Sequence, residues 1–253
     1  MRKTPKARLY YPQSLNNRSE VTLSDAPAHY LLNVLRMNCG DEVRLFDGSS
    51  GEYTARIEAC GKKSCMLRIL EKSADFRQSP DLWLLFAPVK KDKTDFIIAG
   101  ATELGVRKIM PTITKRTISE KIKKERYEAQ VIEAAEQSRR TDIPQVEDAQ
   151  SLEKILKNWD PARILYFMDE TGNGGSICPT FAKGPQSAAI LVGPEGGFEP
   201  GELEMLRGLP YARGVSMGRR ILRAETAVMA ALSCWQALCG DWPEGKPAAF
   251  EEK

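Results

Sequence analysis

Two short stretches hold most of the residues able to do chemistry: Ala188-Ala-Ile-Leu-Val-Gly-Pro-Glu-Gly-Gly-Phe198 and Ser216-Met-Gly-Arg-Arg-Ile-Leu-Arg-Ala-Glu-Thr-Ala227. The first is an apolar run ending in a glycine-rich corner. The second is a tight turn that opens an apolar helix, so the two can converge on one small ligand. Glycine lets a backbone turn and approach a ligand with no side chain in the way, and Gly193, Gly196, Gly197 and Gly218 are the candidates. A Walker loop needs a lysine and a hydroxyl residue after its last glycine, and Gly193-Pro-Glu-Gly-Gly197 is followed by neither. The same glycines miss the Gly-x-Gly-x-x-Gly spacing of a dinucleotide site. What remains is a close backbone approach with a carboxylate, Glu195, fixed by Pro194, and two cations, Arg220 and Arg223, beside the second turn.

The elements that must hold these corners follow from hydrophobic period. From Leu82 onward, apolar runs alternate with amphipathic stretches: strands are expected at Leu82–Val89, Lys108–Pro111, Ile164–Met168, Ala188–Val192 and Gly214–Ser216, and helices at Asp92–Leu104, Lys123–Arg139, Pro200–Leu206 and Ala224–Leu238. Continuous apolar strands between helices imply an α/β fold with a parallel sheet covered on both faces. Ligands in such sheets sit beyond the carboxyl ends of strands, where Met168–Gly172, Gly193–Phe198 and Met217–Leu222 lie. The first 72 residues read differently, with a helix at Ala26–Leu35 and half-buried strands at Val43–Phe46, Glu52–Ile57 and Ser64–Leu70. The polar segment 73–81 reads as a linker, which divides the chain into 1–72 and 82–253.

Gly193–Phe198 and Met217–Ala227 resemble the cofactor-loop motifs of the ribosomal RNA small subunit methyltransferase E family. That family belongs to the SPOUT superfamily of S-adenosylmethionine-dependent RNA methyltransferases. His29–Arg36, Gly40-Asp41, Phe46-Asp-Gly48, Ala101–Val106 and Ala134–Ser138 agree in the same order, so the likeness runs from about residue 8 to about residue 235. The resemblance implies a SPOUT-type parallel sheet with a C-terminal trefoil knot, preceded by a small PUA-like β-barrel that docks on RNA. It implies a homodimer whose pockets are completed by the neighbouring chain. It further implies S-adenosylmethionine as donor, and uridine N3 in 16S ribosomal RNA of the small ribosomal subunit as acceptor. Carried onto this chain, the donor-binding positions are Gly172, Val192, Gly193, Pro194, Glu195, Gly196, Met217, Gly218, Ile221, Leu222 and Arg223.

Uridine N3 is protonated at neutral pH, so the reaction needs a proton acceptor or a stabiliser of the uridinate. Arg220 and Arg223 suit the second task; Glu195, Glu225 or Glu103 suit the first. Three positions depart from the family pattern: Gly100 and Met217 stand where lysine and leucine are usual, and Arg139 where glycine is usual. Gly100 and Arg139 fall in segments expected near the RNA. A non-catalytic RNA-binding or assembly protein and a methyltransferase of the same fold acting on another RNA are the competing readings. The intact glycine corners disfavour the former.

Charge is consistent with a phosphate-rich partner. Residues 1–72 carry 12 Lys or Arg against 8 Asp or Glu, whereas the rest carries 25 against 26, within an overall +3. A second basic concentration, residues 90–124, has ten Lys or Arg against four acidic residues and includes Lys121, Lys123 and Lys124. The six cysteines form no C-x-x-C pair and His29 is the single histidine, so no metal is expected and the cysteines read as reduced, buried thiols. The longest apolar run, Leu82–Val89, is too short for a membrane span, and the basic start leads into no signal-type segment, so a cytoplasmic protein is expected.

Overall fold

The computed structural model describes residues 5, 7–118, 123–185 and 187–242. The chain divides into two units: one takes the chain up to Gln78 together with Ala135–Ile143, the other takes Ser79–Ala134 and the chain from Pro144.

The first unit is built on five strands, β1 (Arg8–Tyr10), β2 (Glu20–Ser24), β3 (Glu42–Phe46), β4 (Glu52–Cys60) and β5 (Ser64–Ala74), in the order β1-β3-β4-β5-β2. Only β1 runs parallel to its neighbour β3; the other pairings are antiparallel. Alternate residues such as Val43, Leu45, Ala55, Ile57 and Leu67 point into one apolar core, as the two-residue strand period requires. The helix expected at 26–35 is split: α1 (Asp25–His29) is α-helical and Tyr30–Val34 widens into a π-helical turn. At the start of the unit, the Arg8 guanidinium meets the Glu52 carboxylate at 2.6 Å and donates to the carbonyls of Ala135 and Arg140, both at 2.7 Å. The backbone N–H of Tyr10 donates to Glu136 Oε1 at 2.9 Å.

The second unit holds a parallel sheet with the order β11-β13-β10-β12-β6-β7-β8. Its strands are β6 (Leu82–Phe86), β7 (Lys108–Ile113), β8 (Gln145–Val146), β10 (Ile164–Met168), β11 (Gly175–Ser176), β12 (Ala188–Val192) and β13 (Ala212–Ser216); β9 (Gln150–Ser151) pairs with β7 off this path. Helices α2 (Lys91–Glu103), α3 (Lys124–Ser138), α4 (Leu152–Lys157), α5 (Ile177–Phe181), α6 (Pro200–Gly208) and α7 (Ala224–Cys239) connect them. The last turn of α3, from Ala135, belongs to the first unit. All five residues of β12 are buried, which is what a central strand covered on both faces needs.

Register sorts the two faces. Leu85, Leu191 and Phe167 lie side by side and pack with Leu152, Ile155, Leu203 and Leu206 from α4 and α6. The alternate set, which includes Tyr166 and Ile190, turns to the other face, where the Tyr166 ring meets Phe181 of α5 at 4.8 Å. On α7, Ala227, Val228, Ala231, Leu232 and Trp235 are buried core, while Leu238 is 41% exposed. Gly100 lies where α2 crosses α7, and a Cβ there would meet Met229 Sδ at 2.5 Å. The position is buried, and a side chain there would have to move the tip of Met229. Arg139 follows α3 with φ +62, the left-handed conformation that glycine usually supplies after a helix. Among the described residues no helix is long and apolar enough to cross a membrane, and no three His, Cys, Asp or Glu side chains gather as a metal site.

Candidate functional site

Strands β10, β12 and β13 are neighbours and parallel, so their carboxyl ends bring three loops together. Between them lies a cleft of about 420 Å³, lined by Met168 and Glu170 from the first loop, Val192, Gly193, Pro194, Glu195 and Gly197 from the second, Ile221, Leu222, Arg223 and Ala224 from the third, and Lys93 of α2. This volume falls in the range of small-molecule sites. Met168 and Val192 are the last residues of their strands and share the parity of Tyr166 and Ile190, which turns both toward the α7 face.

The second corner is held by its own chain. Gly197 donates its N–H to the Pro194 carbonyl at 2.9 Å, closing the turn, and Phe198 is buried beneath. A Cβ on Gly193 would lie 3.0 Å from the Phe198 ring, so a side chain there would push on the core. Gly197 has φ +70, and a Cβ there would overlap Glu170 Oε1 and stand 3.1 Å from its Cδ. That same Oε1 accepts the Phe198 N–H at 3.0 Å, so Glu170 stitches the first loop to the second. Beyond the corner, Pro200 occupies the first helical turn and Glu199 and Glu202 form a capping box that starts α6.

The first loop is anchored by Asp169, whose side chain is almost fully buried. Burial alone would raise its pKa, but hydrogen bonds from Thr171 and Arg207 hold the carboxyl below its ordinary value. Arg207 Nη2 reaches Asp169 Oδ2 at 2.7 Å.

Of the residues expected from sequence, Val192, Gly193, Pro194, Glu195, Ile221, Leu222 and Arg223 line the cleft. Met217, Gly218 and Arg220 line a smaller adjoining hollow of about 90 Å³. Gly172 and Gly196 line neither; Gly196 turns its carbonyl to Arg116 Nη1 at 2.8 Å. Gly197, a candidate in the sequence, lines the cleft, whereas Lys93, Met168, Glu170 and Ala224 also line it and were not among the expected donor-binding residues. The loop carrying Glu170 was singled out in the sequence, so a carboxylate at its tip was a usable signal; Lys93, 102 positions from Glu195, gave none.

The carboxylates separate clearly. Glu195 is ion-paired with Lys93, and that hydrogen bond, aided by the charges of Lys93, Lys90 and Arg223, holds its pKa below the ordinary value. Glu225, in the first turn of α7, has Oε1 3.9 Å from Lys93 Nζ, while its Oε2 is buried with no hydrogen-bond partner among the described residues. Glu103 closes α2, ten residues from Lys93, which at 1.5 Å per residue is about 15 Å along the helix. It does not line the cleft.

Comparison with known proteins bears directly on this site. Residues 77–236 match the RNA methyltransferase domain family and residues 23–70 the RNA methyltransferase PUA domain family. The chain is 36% identical to a ribosomal RNA small subunit methyltransferase E of Rickettsia conorii, over 89% of this chain and 93% of the relative. Among solved structures, it is similar to a ribosomal RNA small subunit methyltransferase E from Neisseria gonorrhoeae bound to S-adenosyl methionine (TM-score 0.84, 30% identity, 93% of this chain and 99% of that one). It is also similar to a Legionella pneumophila methyltransferase in complex with the same cofactor (TM-score 0.83, 31% identity, 93% and 98% covered).

Proposed function

This chain belongs to the ribosomal RNA small subunit methyltransferase E family, and on that premise we propose that it methylates N3 of a uridine in 16S ribosomal RNA. S-adenosylmethionine is the proposed donor, and the cleft between the three strand ends is the observation that carries the reading. Its make-up fits such a molecule. Val192, Met168, Ile221 and Leu222 offer apolar walls for a purine ring, Glu170 offers a carboxylate for ribose hydroxyls, and Gly193 and Gly197 keep the backbone close. The donor, when bound, supplies an electrophilic methyl group on a sulfonium sulfur.

The remaining work falls to the side chains of the chain. Arg223 at the cleft places positive charge where a uridinate would form, and that stabilises it; Arg220 lines the adjoining hollow with Met217 and Gly218. Glu195, held ionised by Lys93, contributes by fixing that lysine at the cleft wall. The N-terminal portion, residues 1–72, is proposed as the RNA-docking domain, supported by its likeness to the RNA methyltransferase PUA domain. The family's trefoil knot and homodimer are proposed with it. Membership of the family supports the knot, and exposed Leu238 and Trp242 beyond the core of α7 support the dimer. A substrate of this kind places the protein in the cytoplasm.

Calorimetric titration with S-adenosylmethionine, followed by mass mapping of small-subunit RNA from a deletion strain and its complemented counterpart, tests the proposal. The expected result is saturable binding and one uridine methyl group present only with the intact gene. Binding without any missing methyl group would refute it.

A further inference from the structure

We infer that the acceptor base docks in a second hollow beside the donor cleft, between Pro88-Val89, Pro194 and Ile118, and that Lys90 meets its ring carbonyls. The inference rests on the methyltransferase reading and extends it to the acceptor.

A base that receives a methyl group must be held against the donor in a near-attack arrangement, so its site has to share a wall with the donor cleft. Two hollows do so. One, at Met217–Arg220, shares Met168, Glu170, Ile221 and Leu222; the other shares Pro194 and Glu195. Size decides between them. The first measures about 90 Å³. The second measures about 280 Å³, which gives a planar ring about three times the room.

Chemistry points the same way. Bases taken out of a stack are gripped between apolar faces and read at their polar edge. Here two prolines, Val89 and Ile118 supply the faces, and Ile118 is 86% exposed, an apolar side chain with little over it. Lys90 and Glu195 supply the polar edge. Uracil presents two carbonyls flanking N3; when the N3 proton passes to solvent, negative charge spreads onto them, which an ammonium group stabilises, and N3 then takes the methyl group while the donor's sulfur keeps the bonding pair as a neutral thioether. Cytosine would turn an amino donor toward that ammonium instead.

The fold holds Lys90 in place. It is the N-cap of α2, and its carbonyl accepts the Thr94 N–H at 3.0 Å. The Thr94 hydroxyl is within hydrogen-bond distance of both backbone groups of Val89, at 3.1 Å from its N–H and 3.0 Å from its carbonyl. Ala87 is tied to β12 through the Val192 carbonyl at 3.0 Å, so the Pro88–Lys90 wall and the Gly193 corner are referenced to the same strand. Lys93, one turn on, is committed to Glu195, whereas Lys90 forms no salt bridge among the described residues. The start of α2 adds its own partial positive charge.

Two measurements test this. Small-subunit RNA substituted with 4-thiouridine, irradiated with the full-length protein, should crosslink to the peptides containing Pro88–Lys90 or Ile118. Crosslinks confined to Met217–Arg220 would overturn the assignment. In parallel, Lys90→Gln should lower kcat about 100-fold at neutral pH, as loss of one charge-stabilising donor does. Its calorimetric affinity for S-adenosylmethionine should stay at the parent value, the deficit should shrink as pH rises toward ionisation of N3, and Lys90→Arg should recover part of the rate. A variant with parental rate and pH profile, or with a deficit equal at every pH, would overturn the role of Lys90. If the parent protein itself transfers no methyl group to small-subunit RNA, the broader reading fails instead.

Discussion

Replacing Gly197 by alanine separates crowding at the cleft from mere loop location. Its φ of +70 imposes a penalty of ~1–2 kcal/mol on any side-chain-bearing residue, partly offset by the stiffer unfolded chain. The new Cβ would also displace Glu170 from the Phe198 N–H, and a charge-assisted hydrogen bond of this kind contributes ~1.5–3 kcal/mol. The corner therefore loses about 2–4 kcal/mol in its ligand-competent arrangement. At 1.4 kcal/mol per decade, S-adenosylmethionine should bind about 30- to 700-fold more weakly by calorimetry. Gly196→Ala is the matched control. Its φ is not positive, and its Cβ would meet only the Arg116 side chain at 3.6 Å, so its affinity should stay within about twofold of the parent. Equal losses in the two variants, or a larger loss at Gly196, would refute the reasoning about which glycine carries the corner.

Arg207→Leu should destabilise the second unit by ~1–3 kcal/mol at pH 7 by stripping a partner from buried Asp169. The depressed pKa of Asp169 contributes stability that is complete above the ordinary aspartate value of about 3.9 and lost as pH falls through its folded value. Urea titrations should therefore show parent and variant converging in acid, and a constant gap would contradict the pairing. Arg139→Gly should stabilise the protein by about 0.5–1 kcal/mol, because glycine removes the left-handed strain and returns part of that gain as chain entropy; a lowered melting temperature would tell against it. Alkylation followed by peptide mapping should modify exposed Cys39, Cys60 and Cys178 before buried Cys65, whose thiol burial pushes up to about 11; early labelling of Cys65 would contradict its place in the core. Lys123→Ala with Lys124→Ala should flatten the salt dependence of RNA binding by about one unit of slope for each phosphate these lysines neutralise; identical slopes would show that the pair touches no phosphate.

How much of this was legible in the sequence depended on whether the cause was local. β10 and β12 were read to the residue because a parallel central strand is an unbroken apolar run with turn residues at both ends. The corners were legible for the same reason: glycine and proline announce backbone geometry where it occurs. β1 and β2 were not read. β1 has three residues and pairs with a strand more than thirty positions away, so no period within it reveals it. Sheet order and register were equally silent, since they arise from which apolar faces meet. At the site, Gly196 and Gly197 look alike in sequence, and only the folded backbone's positive φ at Gly197 and the Glu170 carboxylate against it distinguish them. Cysteines show the limit of composition: all six were expected to be buried, yet Cys39, Cys60 and Cys178 are exposed. Lys90 and Glu103, thirteen positions apart at the two ends of α2, carried no mark of which end met the cleft. The basic cluster was visible as charge, although Lys121 lies outside the described residues.

The bonds from Arg8 to the carbonyls of Ala135 and Arg140 have a consequence for synthesis. Strand β1 carries a guanidinium that finds Glu52 early, but its two carbonyl acceptors lie 127 and 132 positions further along the chain and are made only when elongation reaches them. Until then β1 lacks the anchor that fixes it, and a fragment ending near residue 78 would leave that positive charge short of partners. Domains that are contiguous in the chain can fold as they emerge; this one has to wait for a later stretch to close it, so its completion is timed by elongation through residue 140.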